Sequence, residues 1–566
     1  MSEAITRTRP NADQMDRLIE AVEQVGAGIM SQVDVTYLAM LNSSNYKTVM
    51  KKWFMANGVA AMVDVSQLCD KWYTITRLGW LGGVRFQIPE AGQTAPSDGT
   101  RTGDNVGLSC TPSTPTVAGA DDYAGNPLFA CMDCNVYLDA DGKPHITAIK
   151  DVCGAFESAN PERIVGVVQM AGWLRFVLDT AAGVYGWDYT DGIGQAGFVP
   201  LSEAVELKDN SVRSWVVHGK YNFGDNWSCC SGQKVRVWDV SHNSQITGVH
   251  NQWGARYCGT TSADDAFMKL MLYLKYARLD SDRILHGCCD YNYAYPLAAA
   301  ETGVERILLT PAQAANLIVG STICVGTSAA RSSTKANDTA LLDRVRITKI
   351  ETVEVGGTSY GAVYVDNGGV VFDTATTYTM YTFQWYTGST DSALGNDGGI
   401  DPTSDRYPVK IQGIEVMVGC YEVMGDTILS YGSQDGENRM IPNVCRDATK
   451  LATALTANYT AGRGVSTPAS DGWQYPKQMY GSNAMPELIF PVDIGGSTSS
   501  GPRDCFYILA ITSGLREWLR LGSLYNGIGH AGFSCGHGID GLTYANWNIG
   551  GRLSVTGNRG EFQQAA

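Results

Sequence analysis

The chain has 566 residues, of which 44% are hydrophobic and 17% are charged, and its formal net charge is −15. This composition excludes a disordered chain, and the length is enough for several domains with more than one hydrophobic core. The acidic balance argues against a nucleic-acid-binding surface, because such affinity comes largely from Lys and Arg that neutralise phosphates. We therefore predict no nucleic-acid partner.

Residues 1–7 contain no apolar segment, so we expect no secretory signal. Apolar runs such as residues 60–65 and 307–319 are too short or too interrupted to span a membrane. We therefore expect a protein that is made in a cytoplasm and does not insert into a membrane. Fifteen cysteines are an odd number for a disulfide framework, and in a reducing compartment most should be buried thiols.

The predicted elements describe a multidomain α+β protein that is rich in β-strands. Residues 1–70 are predicted to be a helical segment for docking or oligomerisation, and a plain packing role fits the same pattern. The apolar residues that recur there at a helical period are Met15, Leu18, Ile19, Val22 and Val25.

Residues 71–305 are predicted to form a mixed, β-rich unit. Buried strands are expected within residues 163–178 and 215–221. A helix is predicted over residues 264–279, with Ser262 as its N-cap. The stretch from this helix through Tyr293 resembles a segment common in structural proteins of phages from gut bacteria.

Residues 306–390 are predicted to be a small all-β module. Residues 345–348 alternate apolar and polar side chains, and residues 362–365 are a short run with high β-propensity. Residues 388–405 are rich in Gly, Ser, Thr and Asp, which predicts a polar linker. The last predicted unit comprises residues 405–566.

Two motifs resemble metal sites, and a structural role explains each of them better. Cys131 and Cys134 have the spacing of half a zinc site, but no further ligands follow at a recognised spacing. Residues 139–142 (DADG) resemble the start of a calcium loop, but the required Glu is missing and Asp-Gly is a strong hairpin turn. We therefore predict no metal and no cofactor.

The most informative stretch is Gly-rich and lies near the C-terminus. Residues 521–545 contain no Lys, Glu, Gln, Met or Trp, and these are residues that no codon ending in C can encode. Every residue type present there has such a codon, which is the pattern expected if Asn codons were randomised at their adenines and then selected. The alternative is a Gly-rich loop that lacks these residues by chance.

Four sets of short motifs mark the last third of the chain. They are residues 410–415 (KIQGIE) with 419–422 (GCYE), 488–491 (LIFP) with Asp493 and 495–497 (GGS), 520–522 (RLG) with 531–533 (AGF), and 545–552 (ANWNIGGR). By these motifs, the chain from Tyr407 onward resembles the variable proteins of diversity-generating retroelements, which have a C-type-lectin-like fold related to formylglycine-generating enzymes. Val418 and Cys420 stand where such proteins often have Trp and Asn, which leaves the local packing open.

This resemblance implies a diversified ligand-binding surface held by a fixed frame. For Tyr525, Ile528 and Ile539, burial in the core is an equally open alternative. The outward-facing binding residues expected are Ser523, Leu524, Tyr525, Asn526, Ile528, His530, His537, Ile539, Asp540, Thr543, Tyr544, Asn546 and Asn548. The expected scaffold residues are Trp518, Gly522, Trp547, Ile549, Gly550 and Arg552, and alternation of Trp547, Ile549 and Leu553 indicates a final strand with one buried face.

The related enzymes raise the question of catalysis, since they use a pair of reactive cysteines late in the domain. The late cysteines here are Cys505 and Cys535, and Cys535 belongs to the variable stretch. The nearby His530 and His537 also belong to it, and catalysis cannot depend on residues that are free to change. We therefore predict no catalytic residues and no enzyme activity. An intact cysteine pair with copper-dependent oxidation of a Cys peptide would contradict this.

The function implied is that of a phage tail protein, located in the virion and assembled in the host cytoplasm, that binds a bacterial surface receptor, either glycan or protein. The family often forms trimers, so we expect a homotrimer in which several weak sites act together. The resemblance also implies that residues 71–305 form the virion-attachment unit, which binds other tail proteins. Two alternatives remain. One is a structural virion subunit (collar, baseplate or head fibre) whose lectin-like unit binds another viral protein; the other is a bacterial surface ligand-binding protein. Calcium in the lectin-like unit is possible, but the sequence does not support it.

Overall fold

The computed structural model describes residues 30–42, 45–89, 97–332 and 334–562. It has several sheets and few helices, which confirms the coarse β-rich α+β class. The helical periodicity of residues 15–25 lies outside the described residues. The α-helices of the described part are Gln32–Leu38 (α1), Tyr46–Ala56 (α2), Ser66–Ile75 (α3), His242–Trp253 (α4), Ser262–Tyr276 (α5), Pro311–Ala314 (α6) and Lys335–Asp338 (α7). Short 3-10 turns span Val59–Ala61, Ser202–Ala204, Asp225–Trp227, Ala448–Lys450 and Ile528–His530.

The N-terminal helices pack through indole rings. Trp53 of α2 and Trp72 of α3 are fully buried. Because a buried indole N–H needs an acceptor, Trp53 donates to Asp34 Oδ1 at 2.9 Å, and Trp72 donates to the Tyr46 hydroxyl at 2.7 Å. No helix among the described residues has the length and apolar character needed to cross a membrane.

Residues 81–219 form two antiparallel sheets. Their strands are Leu81–Gln87 (β1), Thr100–Gly103 (β2), Met132–Leu138 (β3), Pro144–Ile149 (β4), Ile164–Met170 (β5), Trp173–Asp179 (β6), Val184–Thr190 (β7), Val199–Pro200 (β8) and Trp215–Gly219 (β9). The strand orders are β2-β1-β7-β6-β8 and β4-β3-β5-β9. The strands predicted within residues 163–178 and 215–221 are present, and β5 is buried along its whole length. Residues 139–142 form the turn of the β3–β4 hairpin, as predicted.

The predicted all-β module is an antiparallel six-stranded sheet. Its strands are Ala294–Pro296 (β10), Arg306–Leu309 (β11), Thr322–Gly326 (β12), Leu342–Val355 (β13), Thr358–Asp366 (β14) and Thr379–Phe383 (β15). They lie in the order β10-β15-β12-β13-β14-β11. The module begins at Ala294 rather than at 306, because β10 pairs with the last strand, β15. Its side chains form a separate small hydrophobic core.

The C-terminal part is built on one large sheet and two smaller ones. Its strands are Gly398–Gly399 (β16), Val409–Ile411 (β17), Ile414–Val416 (β18), Tyr421–Gln434 (β19), Glu437–Cys445 (β20), Tyr459–Ala461 (β21), Val465–Ser466 (β22), Gly472–Gln474 (β23), Met479–Ser482 (β24), Met485–Pro491 (β25), Phe506–Ile508 (β26), Gly514–Arg520 (β27), Gly536–His537 (β28) and Ile549–Gly550 (β29). The large sheet has the strand order β21-β20-β19-β27-β28-β26-β23, and in addition β22 pairs with β20 and β29 pairs with β19. The smaller sheets are β16-β17-β18 and β24-β25.

One hydrophobic core joins the two larger predicted units. Trp187 and Met271 from the 71–305 unit pack in the same cluster as Val423, Leu519 and Leu553 from the 405–566 unit. The stretch predicted as a polar linker, residues 388–405, is also packed rather than free. Its buried Asp397 lies 2.8 Å from the ammonium of Lys275.

Helix α5 lies at the centre of this shared core, with every residue buried. The prediction of its start was wrong by two residues. The N-cap is Thr261, whose hydroxyl accepts from the amide of Asp264 while the Asp264 carboxylate accepts from the amide of Thr261. The helix ends at Tyr276, because Ala277 adopts a left-handed conformation.

Candidate functional site

A single buried carboxylate connects the two ends of the Gly-rich stretch. Glu422 on β19 accepts from Arg520 Nη1 at 2.9 Å and from Arg552 Nη2 at 2.7 Å, and all three side chains are fully buried. Burial alone would raise the pKa of Glu422, but Arg552 and Arg520 outweigh it and hold the pKa below its usual value. Arg520 also donates from Nε to Asp265 of α5 at 2.8 Å. The entry and exit of the stretch are therefore fixed to the central core.

The predicted scaffold residues are all buried: Trp518, Gly522, Trp547, Ile549, Gly550 and Arg552. The predicted final strand is shorter than expected, since β29 has two residues and pairs in parallel with β19. Gly522 is needed for close packing, because a Cβ there would lie 2.4 Å from the Cβ of Ala531.

Most of the predicted binding residues line one pocket with a volume of about 340 Å³. Tyr525 and Tyr544 are its most exposed side chains, with 66% and 44% of their surface accessible. The predicted binding residues that line the pocket are Tyr525, Asn526, His530, His537, Ile539, Asp540, Tyr544, Asn546 and Asn548. The other lining residues are Tyr421, Trp473, Tyr507, Leu519 and Ile549.

Two of the predicted outward-facing residues point inward, so that part of the prediction was wrong. Leu524 is fully buried in a cluster with Trp547 and with Phe383 of the β-module. Ser523 is also buried, and its hydroxyl donates to Asn526 Oδ1 at 2.8 Å. An apolar side chain next to the frame gains more from burial than from exposure.

Two further predicted residues lie outside the pocket lining. Ile528 is half-buried and packs against the main core, so it lies between the exposed position predicted and the core position left open as the alternative. Thr543 is exposed beside the pocket.

Three neighbouring strands place aromatic rings in a row along the pocket. Trp473 of β23 is opposite Tyr507 of β26, which is in turn opposite His537 of β28. The ring of His530 stacks on Trp473 with centroids 4.5 Å apart and an interplanar angle of 14°. The sequence did not indicate Trp473 or Tyr507, because only long-range strand pairing brings them to the Gly-rich stretch. Tyr421 lies within the GCYE motif, which could have suggested it.

Some polar groups of the pocket hold its shape and others have no protein partner. The amide of Asn526 donates to the Tyr421 hydroxyl, and that of Asn546 donates to the Tyr544 hydroxyl at 3.0 Å. Nδ1 of His537 lies 3.3 Å from Asp540 Oδ2 but lacks hydrogen-bond geometry. Within the described residues, the indole N–H of Trp473 and the hydroxyls of Tyr507 and Tyr525 form no hydrogen bond.

The late cysteines lie beside the pocket as buried thiols. Cys505 precedes β26 and Cys535 precedes β28, and these two strands pair in parallel. Burial, and then the neighbouring Cys505, raise the pKa of Cys535 well above its ordinary value. A reactive thiolate needs a lowered pKa, so this thiol lacks the environment of a nucleophile at neutral pH.

All fifteen cysteines are free thiols, and every one except the half-buried Cys110 is buried. Burial raises the pKa of Cys131, in the CxxC motif, to about 12. In the part of the chain that the structure describes, no three His, Cys, Asp or Glu side chains are grouped so that they could hold a metal ion.

No protein-family model matches this chain, and a search of curated proteins found no significant match.

Proposed function

We propose that the chain is a phage virion protein whose C-terminal, C-type-lectin-like unit presents a diversified pocket for attachment to a bacterial surface receptor. The observation that carries this proposal is the division of residues 520–552. The side chains expected to vary line one pocket, whereas the flanking Arg520 and Arg552 are buried against Glu422. Such a frame supports variation without loss of the fold.

The composition of the pocket also supports a binding role rather than catalysis. Exposed tyrosines offer a large contact area with few rotatable bonds, as in antibody loops. A single small pocket gives modest affinity, so we propose a homotrimer, in which several copies act together. The N-terminal helices and sheets would attach the protein to the other tail proteins.

Binding of the purified, fluorescently labelled protein to a panel of gut bacterial strains tests this function. We expect at least one strain to bind the wild type and to lose binding to the double variant Tyr525→Ala, Tyr544→Ala. Tyr137 on β3, which is 42% exposed and remote from the pocket in sequence, supplies the matched control Tyr137→Ala. If no strain binds while the protein co-purifies with phage particles, the structural-subunit function replaces this one.

A further inference from the structure

We infer that the pocket holds a neutral sugar ring from a bacterial surface polysaccharide. This inference rests on the proposed function and specifies the chemistry of its ligand. Three properties of the pocket favour such a ligand: its charge, its aromatic surface, and the hydrogen-bonding groups that the protein leaves unpaired.

The charge of the pocket argues against recognition of an acidic group. Among the described residues that line it, none is Lys or Arg, and the one carboxylate is Asp540. Lys and Arg form the strong, charge-assisted hydrogen bonds to phosphate and carboxylate ligands. The pocket offers no such donor, and its only carboxylate, Asp540, lies 3.3 Å from Nδ1 of His537.

The aromatic residues offer faces suited to the apolar C–H side of a sugar ring. Tyr525 has 66% of its surface accessible, and it meets Trp547 of the frame edge-to-face at 6.5 Å. The stacked Trp473–His530 pair forms a second aromatic surface. A volume of about 340 Å³ is at the lower end of the range for small-molecule pockets, which suits a ligand of one or two rings.

The unpaired polar groups include both donors and acceptors. The indole N–H of Trp473 only donates, the side-chain carbonyl of Asn548 accepts, and the hydroxyls of Tyr507 and Tyr525 do both. A sugar hydroxyl both donates and accepts, so one ring can satisfy both kinds of group. A quaternary ammonium ion, the other ligand that aromatic pockets favour, forms no conventional hydrogen bonds and would leave these groups unpaired.

An array of immobilised neutral and acidic oligosaccharides, together with phosphocholine beads, tests the chemistry. We expect the wild type and the Tyr137→Ala control to bind neutral oligosaccharides, and Tyr525→Ala to bind them about tenfold more weakly, since one aromatic contact is lost. Binding confined to acidic oligosaccharides or to phosphocholine would overturn the inference.

Treatment of the bacterial cells with periodate or with protease distinguishes failure of the sugar inference from failure of the proposed receptor-binding function. For a strain that binds the wild type, sodium periodate should abolish binding because it cleaves vicinal diols, and protease should leave binding unchanged. Loss of binding after protease but not after periodate would mean a protein ligand, which overturns the sugar and leaves receptor binding intact. Failure to bind any strain and any array spot would contradict both proposals.

Discussion

At the scale of single residues, the fixed frame depends on Glu422. A carboxylate buried without partners would be neutralised by protonation, and two buried guanidinium groups without a counter-charge would oppose folding. The carboxylate of Glu422 and the two guanidinium groups compensate each other's charge, which stabilises all three in the core. Through these ion pairs, Glu422 of β19 is connected to Arg520 of β27 and to Arg552 in the segment after β29. This arrangement fixes the two ends of the Gly-rich stretch to the central core.

We expect Glu422→Gln to destabilise the protein by about 3–5 kcal/mol, because it leaves a buried positive charge uncompensated. Urea unfolding followed by tryptophan fluorescence measures this. The matched control is Glu437→Gln. Glu437 is 60% exposed, and its buried partner Arg439 keeps a second carboxylate, Asp493, at 3.4 Å, so the loss should stay below about 1 kcal/mol. Equal effects of the two substitutions would contradict the role assigned to Glu422.

A second residue-scale prediction concerns the acidic pair Asp280 and Asp282, next to the Ser281 hydroxyl that accepts from the amide of Phe533. Asp280 accepts from Arg278 and Arg503. Burial, and then a hydrogen bond and the negative charge of Asp280, raise the pKa of Asp282 from 3.8 to about 6. The folded state therefore favours protonated Asp282, and the stability it contributes is complete below pH 3.8 and lost as the pH rises through about 6.

Asp282→Asn cannot ionise, so we expect it to match the wild type near pH 4 and to exceed its free energy of unfolding near pH 8 by about 1 kcal/mol, a value reduced because Asp282 is partly exposed. Urea unfolding at both pH values provides the test. Asp280→Asn is the control and should destabilise near pH 8, because it removes the partner of Arg278 and Arg503. An Asp282→Asn variant that is less stable than the wild type near pH 8 would contradict this account.

At the scale of elements, the Gly-rich stretch contains positions of two kinds. Three of them are exposed: Tyr525, Thr543 and Tyr544. The triple variant Tyr525→Ser, Thr543→Ala, Tyr544→Ser should therefore have a midpoint of thermal unfolding within about 3 °C of the wild type. Leu524→Ser places a hydroxyl and a cavity in the cluster around Trp547 and should cost about 2–5 kcal/mol. Calorimetry distinguishes the two cases. Similar losses for both variants would mean that the stretch is not divided in this way.

The sequence predicted the elements that have local signals. Alternation in residues 345–348 located β13, the high β-propensity of residues 362–365 located β14, and the Asp-Gly turn located the β3–β4 hairpin. Helix α5 was found, but its cap was misplaced because Thr261, Ser262 and Asp264 are all plausible caps and only the structure shows which hydroxyl accepts from the amide of Asp264. Short elements such as β28 and β29 have too few residues for a periodic signal.

The pocket could be predicted only in part. The unusual composition of residues 521–545 pointed to one wall, formed by side chains such as Tyr525, His537 and Tyr544. The other wall contains Trp473 and Tyr507, which reach the pocket through the pairing of β23, β26 and β28. Pairing between strands distant in sequence leaves no trace in local composition or periodicity, so no single-sequence argument could place these rings.

At the scale of the whole molecule, the C-terminal unit shares its core with the N-terminal sheets. Arg552 donates to the carbonyl oxygens of Gly219 and Lys220, and Arg520 binds Asp265 of α5. We therefore expect residues 405–566 expressed alone to lack cooperative thermal unfolding, whereas the full chain unfolds with a sharp transition. Calorimetry and amide NMR dispersion provide the test. A well-dispersed, cooperatively folded fragment would show that the shared core is dispensable.

We propose that residues 520–552 form a variable pocket inside a fixed frame. The sharpest test is to sequence the 3′ end of the gene from many sibling genomes or one passaged population. We expect substitutions at the codons of pocket residues such as Tyr525, His537 and Tyr544, concentrated at positions that are adenines in Asn codons, and none at Arg520 or Arg552. An invariant stretch, or changes spread evenly over pocket and frame, would contradict the claim.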